Sequence, residues 1–211
     1  MKNKKYYFIS TFLISAFILW TTLVLNVDVQ QIGPQNSSVG FASLNGVIHS
    51  FTGTHMSLYV ITDWLGLVPI AFVFGFGIFG LSQWIKRKHI LKVDLNILLL
   101  GVFYIIVMAI YILFETVTVN YRPVLINGYL EGSYPSSTTL LVMCVIPTVI
   151  MQFNIRIKHL IFKRCVVILL WAFIVFMVMG RLISGVHWFS DIVGSVLIST
   201  GLATLYKSVI S

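Results

Sequence analysis

Gly180-Arg181-Leu182-Ile183-Ser184-Gly185-Val186-His187-Trp188-Phe189-Ser190-Asp191 joins two apolar runs, at about 166–183 and 189–206. It sets an arginine, a histidine and a carboxylate close together in a chain of which only 9% is charged. Ionisable groups at a membrane edge are costly and mark a functional site by default. The two flanking runs are long enough to cross a hydrocarbon core about 30 Å thick, and they lack strict alternation. They read as transmembrane helices rather than barrel strands.

Working outward, four further runs of the same kind occupy about 7–27, 65–85, 97–117 and 137–151. A soluble domain of 211 residues could not hide a composition that is 58% hydrophobic. The expected fold is all-α: one membrane-embedded domain over 1–211, a six-transmembrane helix bundle with an outward-facing interfacial segment between spans one and two. The first run follows Lys2, Lys4 and Lys5. It is longer than the apolar core of a signal peptide and lacks a small-residue cleavage site, so it reads as a retained anchor. Gly75, Gly77 and Gly80 in the second run suit close helix packing.

The charges order the connections. Lys86, Arg87, Lys88 and Lys92 follow span two; Arg156, Lys158, Lys163 and Arg164 follow span four; Lys207 ends span six. The segment 28–64 holds no lysine or arginine, and the other two connections carry one arginine each, Arg122 and Arg181. The positive-inside rule then places both termini in the cytoplasm and three connections outside. The net charge of +8 is thus loop charge that sets topology. With no basic stripe interleaved with aromatics, it implies a bilayer and no nucleic acid. Arg122 and Arg181 run against that bias; a phosphate ligand and a structural salt bridge are both open explanations.

The segment 40–66 is moderately apolar, with Asp63 its one charge, and reads as an amphipathic helix at the interface; His49 and His55 read as polar interfacial residues. Cys144 and Cys165 fall at different depths and read as packing residues rather than a disulfide. No Cys or His pair has metal-ligand spacing and no carboxylate cluster stands out, so neither cofactor nor metal is expected. The Asn36-Ser37-Ser38 sequon stands without other signs of a eukaryotic secretory route, and the expected location is a bacterial cytoplasmic membrane. A transporter would place polar residues at the bilayer midplane, where only Glu115 comes close.

His187 and Asp191 are four apart, which sets them on one face if they open the sixth helix. A carboxylate there would hold one imidazole nitrogen and leave the other as a nucleophile. Arg181 supplies a fork suited to phosphate oxygens. Pro135-Ser136-Ser137 opens the fourth helix, where Ser136 suits an N-cap and the first-turn N–H groups suit an anion. Each of these also has a plain reading, a helix cap or a helix start.

These residues resemble the type 2 phosphatidic acid phosphatase (PAP2) superfamily. Its third motif, Ser-Arg-x5-His-x3-Asp, is present as Arg181-x5-His187-x3-Asp191 with Gly180 for the serine. Its first, Lys-x6-Arg-Pro, keeps Arg122-Pro123 but has Glu115 for the lysine; its second, Pro-Ser-Gly-His, keeps Pro135-Ser136 with Ser137 and Thr138 for glycine and histidine. The resemblance implies a membrane lipid phosphatase. His187 would attack phosphorus to form a phosphohistidine and Asp191 would orient it. Arg122, Arg181, Ser136 and Ser137 would hold the phosphoryl oxygens. Thr138 cannot donate the proton that the family histidine gives to the leaving oxygen, and Glu115 reverses a charge that attracts phosphate. A catalytically silent relative that binds lipid phosphates is the competing expectation.

Overall fold

The computed structural model describes residues 2–210. Eight helices follow in order: α1 (Lys2–Asn26), α2 (Ala42–Thr52), α3 (Met56–Leu65), α4 (Leu67–Arg87), α5 (Leu95–Thr116), α6 (Ser137–Arg156), α7 (Leu160–Ile183) and α8 (Phe189–Ile210). Six helical stretches among the described residues are long and apolar enough to cross a membrane, with α3 and α4 counted as one. The protein is an integral membrane helix bundle.

Burial separates the spans. α6 and α8 form the centre, and α4 and α7 present Phe74, Ile78, Ile168 and Leu169 outward, each about two-thirds exposed. Large apolar side chains turned outward all round a bundle suit lipid and not water. α6 carries two cores. Its Leu140 and Cys144 pack with Phe17 and Val24 of α1, Leu100 and Phe103 of α5 and Leu202 of α8. Its Val145, Ile146 and Val149 pack with Leu170, Ile174 and Met177 of α7. Small residues let helices approach: Ser10 Oγ of α1 donates to the Gly201 carbonyl of α8 at 2.8 Å, and Gly194 lies against the Tyr134 ring, where an added Cβ would come within 2.6 Å.

Charged residues mark one end. Arg87 pairs with Asp94 at 2.9 Å and Arg156 with the same carboxylate at 3.5 Å. Gln83 donates to Asp94 at 2.9 Å, and this bond with the Arg87 guanidinium holds the Asp94 carboxyl below its ordinary range. At the opposite end, three segments gather: the α2–α3 pair, the α5–α6 connection and the turn between α7 and α8.

The segment 40–66 differs from its expected form. It is not one helix lying on the surface but two. α3 runs through Gly66 into α4, so the second span begins at Met56 and not near 65. Asn45 and Thr62 are buried, with exposures of 1% and 0%. The reason is tertiary: Asn45 donates to Ser190 Oγ at 2.9 Å and accepts from the Ser190 N–H at 3.1 Å, anchoring α2 on the start of α8. The fourth and fifth spans also exceed the runs 137–151 and 166–183, reaching Arg156 and starting at Leu160. Long basic side chains at helix ends carry their charge out to the interface and cost the helix little.

Candidate active site

The α5–α6 connection is a small irregular hairpin. Asn127 and Gly128 have φ of 51° and 84°, the paired positive φ of the tight turn that Asn-Gly favours. Around it, bridges link Ile126 with Tyr129 and Tyr121 with Gly132. The register puts Arg122 beside Glu131: the Arg122 N–H donates to the Glu131 carbonyl at 3.0 Å, and Arg122 Nε lies 3.1 Å from Glu131 Oε2. That ion pair lacks hydrogen-bond alignment, and Arg122 Nε is left without a hydrogen-bond partner. Asn120, buried, donates to Asp191 Oδ1 at 3.4 Å and accepts from the Gly40 N–H at 3.0 Å, tying three chain segments together.

The turn before α8 aims His187. Gly185 sits at φ 66° with its Cα against the Gly53 carbonyl; an added Cβ would come within 1.8 Å of that oxygen. The His55 N–H donates to the Ser184 carbonyl at 2.9 Å, and His49 Nε2 is 3.1 Å from the Gly185 carbonyl. Both histidines therefore brace the turn from outside. Trp188 donates its indole N–H to the Tyr121 carbonyl at 2.7 Å, locking turn to hairpin. Asp191 lies in the first turn of α8, and its Oδ2 accepts from the Trp188 N–H at 2.9 Å. A side chain reaching back to the N–H at the helix start is half of a capping box.

His187 precedes α8 rather than opening it, and this changes what holds the ring. His187 Nδ1 lies 3.0 Å from the Ser133 carbonyl and 3.8 Å from Asp191 Oδ2. A carbonyl only accepts, so Nδ1 carries the proton and Nε2 carries the lone pair. The expected bond from Asp191 to the imidazole is thus supplied first by Ser133. Asp191, with 0% exposure, fixes the backbone of the turn. Arg122 Nη1 stands 3.4 Å from Nε2. Burial first, then the charges of Arg122 and Arg181, push the His187 pKa well below its ordinary 6.5. The imidazole is neutral at neutral pH, and its Nε2 lone pair accepts the long bond from Arg122 Nη1.

Arg181, at the end of α7, is 1% exposed. Its Nη1 lies 3.6 Å from Asp63 Oδ1 and 3.4 Å from Thr62 Oγ1, both on α3. Tyr59, one turn earlier on α3, is shared by the two guanidiniums: Arg181 Cζ lies 4.8 Å and Arg122 Cζ 5.9 Å from its ring centroid. Such a platform holds like charges close together.

His187, Arg122, Glu115, Ser133, Tyr134 and Ser137 line a cavity of about 40 Å³ beneath the hairpin, closed on one side by Tyr111 and Phe114 of α5. By a measure in which about 10–15 Å³ admits one water, it suits a small polar group. Arg181 lies behind Tyr59 and does not line it. Ser136 and Thr138 are also turned away: Ser136 Oγ donates to Thr139 Oγ1 at 3.1 Å and its carbonyl accepts from Ser195 Oγ at 2.9 Å. Thr138 packs toward Gly66. Because the Ser136 side chain makes no cap to the backbone, the first-turn N–H groups of α6 remain open to an anion.

Sequence reasoning missed Tyr59, Asp63 as a partner of Arg181, Glu131, Asn120 and the Ser133 carbonyl. The Asn127-Gly128 dipeptide was a signal for the hairpin, and the hairpin register would have paired Arg122 with Glu131. Tyr59 and the Ser133 carbonyl give no sequence signal of their own.

The sequence model of the PAP2 superfamily matches residues 115–211. The transmembrane PAP2 type phosphatidylglycerolphosphate phosphatase from Bacillus subtilis has a similar fold: 94% of this chain aligns with 93% of that one at a TM-score of 0.52 and 17% sequence identity. No curated protein matches the chain. The stretch that matches the PAP2 superfamily model thus runs from Glu115 through Arg122, Arg181, His187 and Asp191, and the fold of the whole chain is similar to that of a transmembrane PAP2 phosphatase.

Proposed function

We propose that the protein is a membrane lipid phosphate phosphatase that works through a phosphohistidine, with its site on the outer face and both termini in the cytoplasm. The observation that carries this reading is the pose of His187. Its Nδ1–H is committed to the Ser133 carbonyl, and its Nε2 lone pair faces the cavity, accepting only a long bond from Arg122 Nη1 at 3.4 Å that a phosphoryl oxygen would take over. In the first step, Nε2 bonds to phosphorus and the ester or bridging oxygen departs with the electron pair. Arg122, Ser137 and the α6 N-terminus are placed for the phosphoryl oxygens, and Arg181 adds charge from behind Tyr59. Water then cleaves the N–P bond and releases phosphate.

Thr138 leaves the departing oxygen without its usual proton donor, a loss worth about 10²–10⁴-fold. An alkoxide suffers most from that loss, whereas a lipid monophosphate departing from a diphosphate carries its own charge well. The reading therefore favours prenyl or other lipid diphosphates over monoesters, with vanadate as a phosphate-mimicking inhibitor. The test is phosphate release from both substrate classes in detergent, with His187→Ala as control and ³²P trapped on wild-type protein at His187. Equal or reversed rates contradict the preference; release undiminished in His187→Ala contradicts the mechanism. A second reading is a silent relative that binds lipid phosphates. It gains from Glu115 in the cavity wall and Thr138 outside it, and is supported if lipid binding persists with no release from any substrate.

A further inference from the structure

α7 and α8 both pack on α6 but meet each other only sparsely. Over α6, between them, runs a groove of about 690 Å³. It shares no lining residue with the His187 cavity. Its walls are apolar over most of their length, and Trp171 of α7 lines it while remaining 50% exposed. On α6 the lining extends from Met143 to Ile155, about 18 Å of helix at a rise of about 1.5 Å per residue. That is close to half of a hydrocarbon core about 30 Å thick. It is the half away from His187, because α6 starts beside the site at Ser137 and ends at Arg156. The groove is therefore one leaflet deep and open to lipid.

Its charge sits at the same end. Lys207 of α8 and Asn154 of α6 line the mouth. Lys207 Nζ lies 4.4 Å from the Tyr6 ring centroid, so the ammonium stays against the bundle. On α7, Lys163 stands one turn before Val167 and two before Trp171, both lining residues, and is itself half-buried. Each wall thus ends in a lysine. The groove between α4 and α5, about 590 Å³, has no charged residue in its lining. The occupant of the α7–α8 groove must be apolar along the wall and anionic at the mouth. A second copy of the chain, lying in the membrane in the same sense, would bring its own Lys163 and Lys207 to the same depth, where like charges repel. A phospholipid of net negative charge brings the opposite sign, and basic pockets between transmembrane helices on the cytoplasmic side hold such head groups.

We propose that the α7–α8 groove is a binding site for an anionic phospholipid, distinct from the His187 cavity. One acyl chain lies along Met143 and Trp171. The phosphate sits between Lys163 and Lys207, whose stems run along the apolar wall and carry the ammoniums to head-group level, and the Asn154 amide donates to it. The site does not depend on the phosphatase reading. The proposed topology enters only in naming the leaflet, the cytoplasmic one.

Lipid retention by the full chain in detergent tests this. The protein is titrated with dioleoyl phosphatidylglycerol or dioleoyl phosphatidylcholine, and bound lipid is counted by native mass spectrometry. One phosphatidylglycerol is expected to bind about tenfold more tightly than phosphatidylcholine, or better. A lysine near an anionic head group is worth about fivefold in affinity, so Lys163→Gln with Lys207→Gln weakens phosphatidylglycerol about 25-fold. Lys86→Gln with Lys92→Gln removes the same charge at the same end of the bundle and changes affinity by less than about twofold. Thr204→Trp, which fills the groove without altering a charge, also displaces the lipid. Arg122→Gln leaves it bound, which separates this site from the phosphatase cavity. Equal affinity for the two lipids, an equal loss in the Lys86 and Lys92 variant, retention in Thr204→Trp, or loss on Arg122→Gln alone overturns the proposal. So does a chain that dimerises and excludes the lipid.

Discussion

His187 is held between opposing influences: a carbonyl and a carboxylate on the Nδ1 side, a guanidinium on the Nε2 side. Its pKa is pushed below 6.5 by burial, then by Arg122 and Arg181. The protonated, non-nucleophilic form therefore appears only at pH well under 6.5. The expected outcome is a kcat/KM profile whose His187-dependent acid limb lies below 6.5; a limb at or above 6.5 would contradict the environment described. The same shift has a stability consequence. The unfolded chain takes up the proton near 6.5 and the folded one does not, so the stability contribution is complete above 6.5 and is lost as pH falls toward the folded-state value. Arg181 gives a second test. Lysine keeps the charge but not the planar fork that lies over Tyr59, so Arg181→Lys is expected to lower kcat/KM by about 10–100-fold while leaving the melting temperature nearly unchanged. Arg122, Arg181, His187 and Asp191 were legible because their spacing and their defiance of the charge bias are sequence properties. The Ser133 carbonyl was not, because every residue has one, and only the hairpin decides which of them meets the imidazole.

The elements that aim these side chains are short ones. The α2–α3 pair was read as a membrane-surface helix because its apolar pattern is the same whether one face meets lipid or protein. What distinguishes the cases is Asn45, Thr62 and Asp63 finding partners on α7 and α8, which no window of sequence reports. The seam between this pair and the motif turn is Gly185 against Gly53, with Gly185 in the left-handed region. Gly185→Ala should therefore cost about 2–3 kcal/mol or more from backbone strain and the forced separation of the two segments. The expected readout is a lower detergent melting temperature together with lost activity, because the displaced turn carries His187. Activity retained at full stability would show that the seam does not position the histidine. Gly180, which stands where the family motif has serine, also faces this pair: an added Cβ would come within 2.7 Å of Thr62 Cγ2. Close approach of α3 to α7 thus gives a physical reason for the departure from the motif.

At the scale of the whole molecule, the six spans were legible because lipid demands long uninterrupted apolar helices with internally satisfied backbones. Their order alone brings the connections after spans one, three and five to one end. The bundle has that geometry: hairpin, motif turn and α2–α3 meet at one end, while Arg87, Asp94 and Arg156 join at the other. What helix order does not provide is the sign of the arrangement in the membrane, for which the lysines and arginines are the argument. Lys86, Arg87, Lys88 and Lys92 lie at the end away from His187, so the site should face outward and a lipid phosphate in the outer leaflet would reach it without crossing. Tyr129, at the hairpin tip, is 73% exposed, and His89, in the basic connection, is exposed as well. In a background with Cys144 and Cys165 replaced by alanine, Tyr129→Cys should react with a membrane-impermeant maleimide in intact cells, and His89→Cys only after permeabilisation. The reverse pattern would put the site on the cytoplasmic face, where the proposed phosphatase would meet a different pool of lipid phosphates.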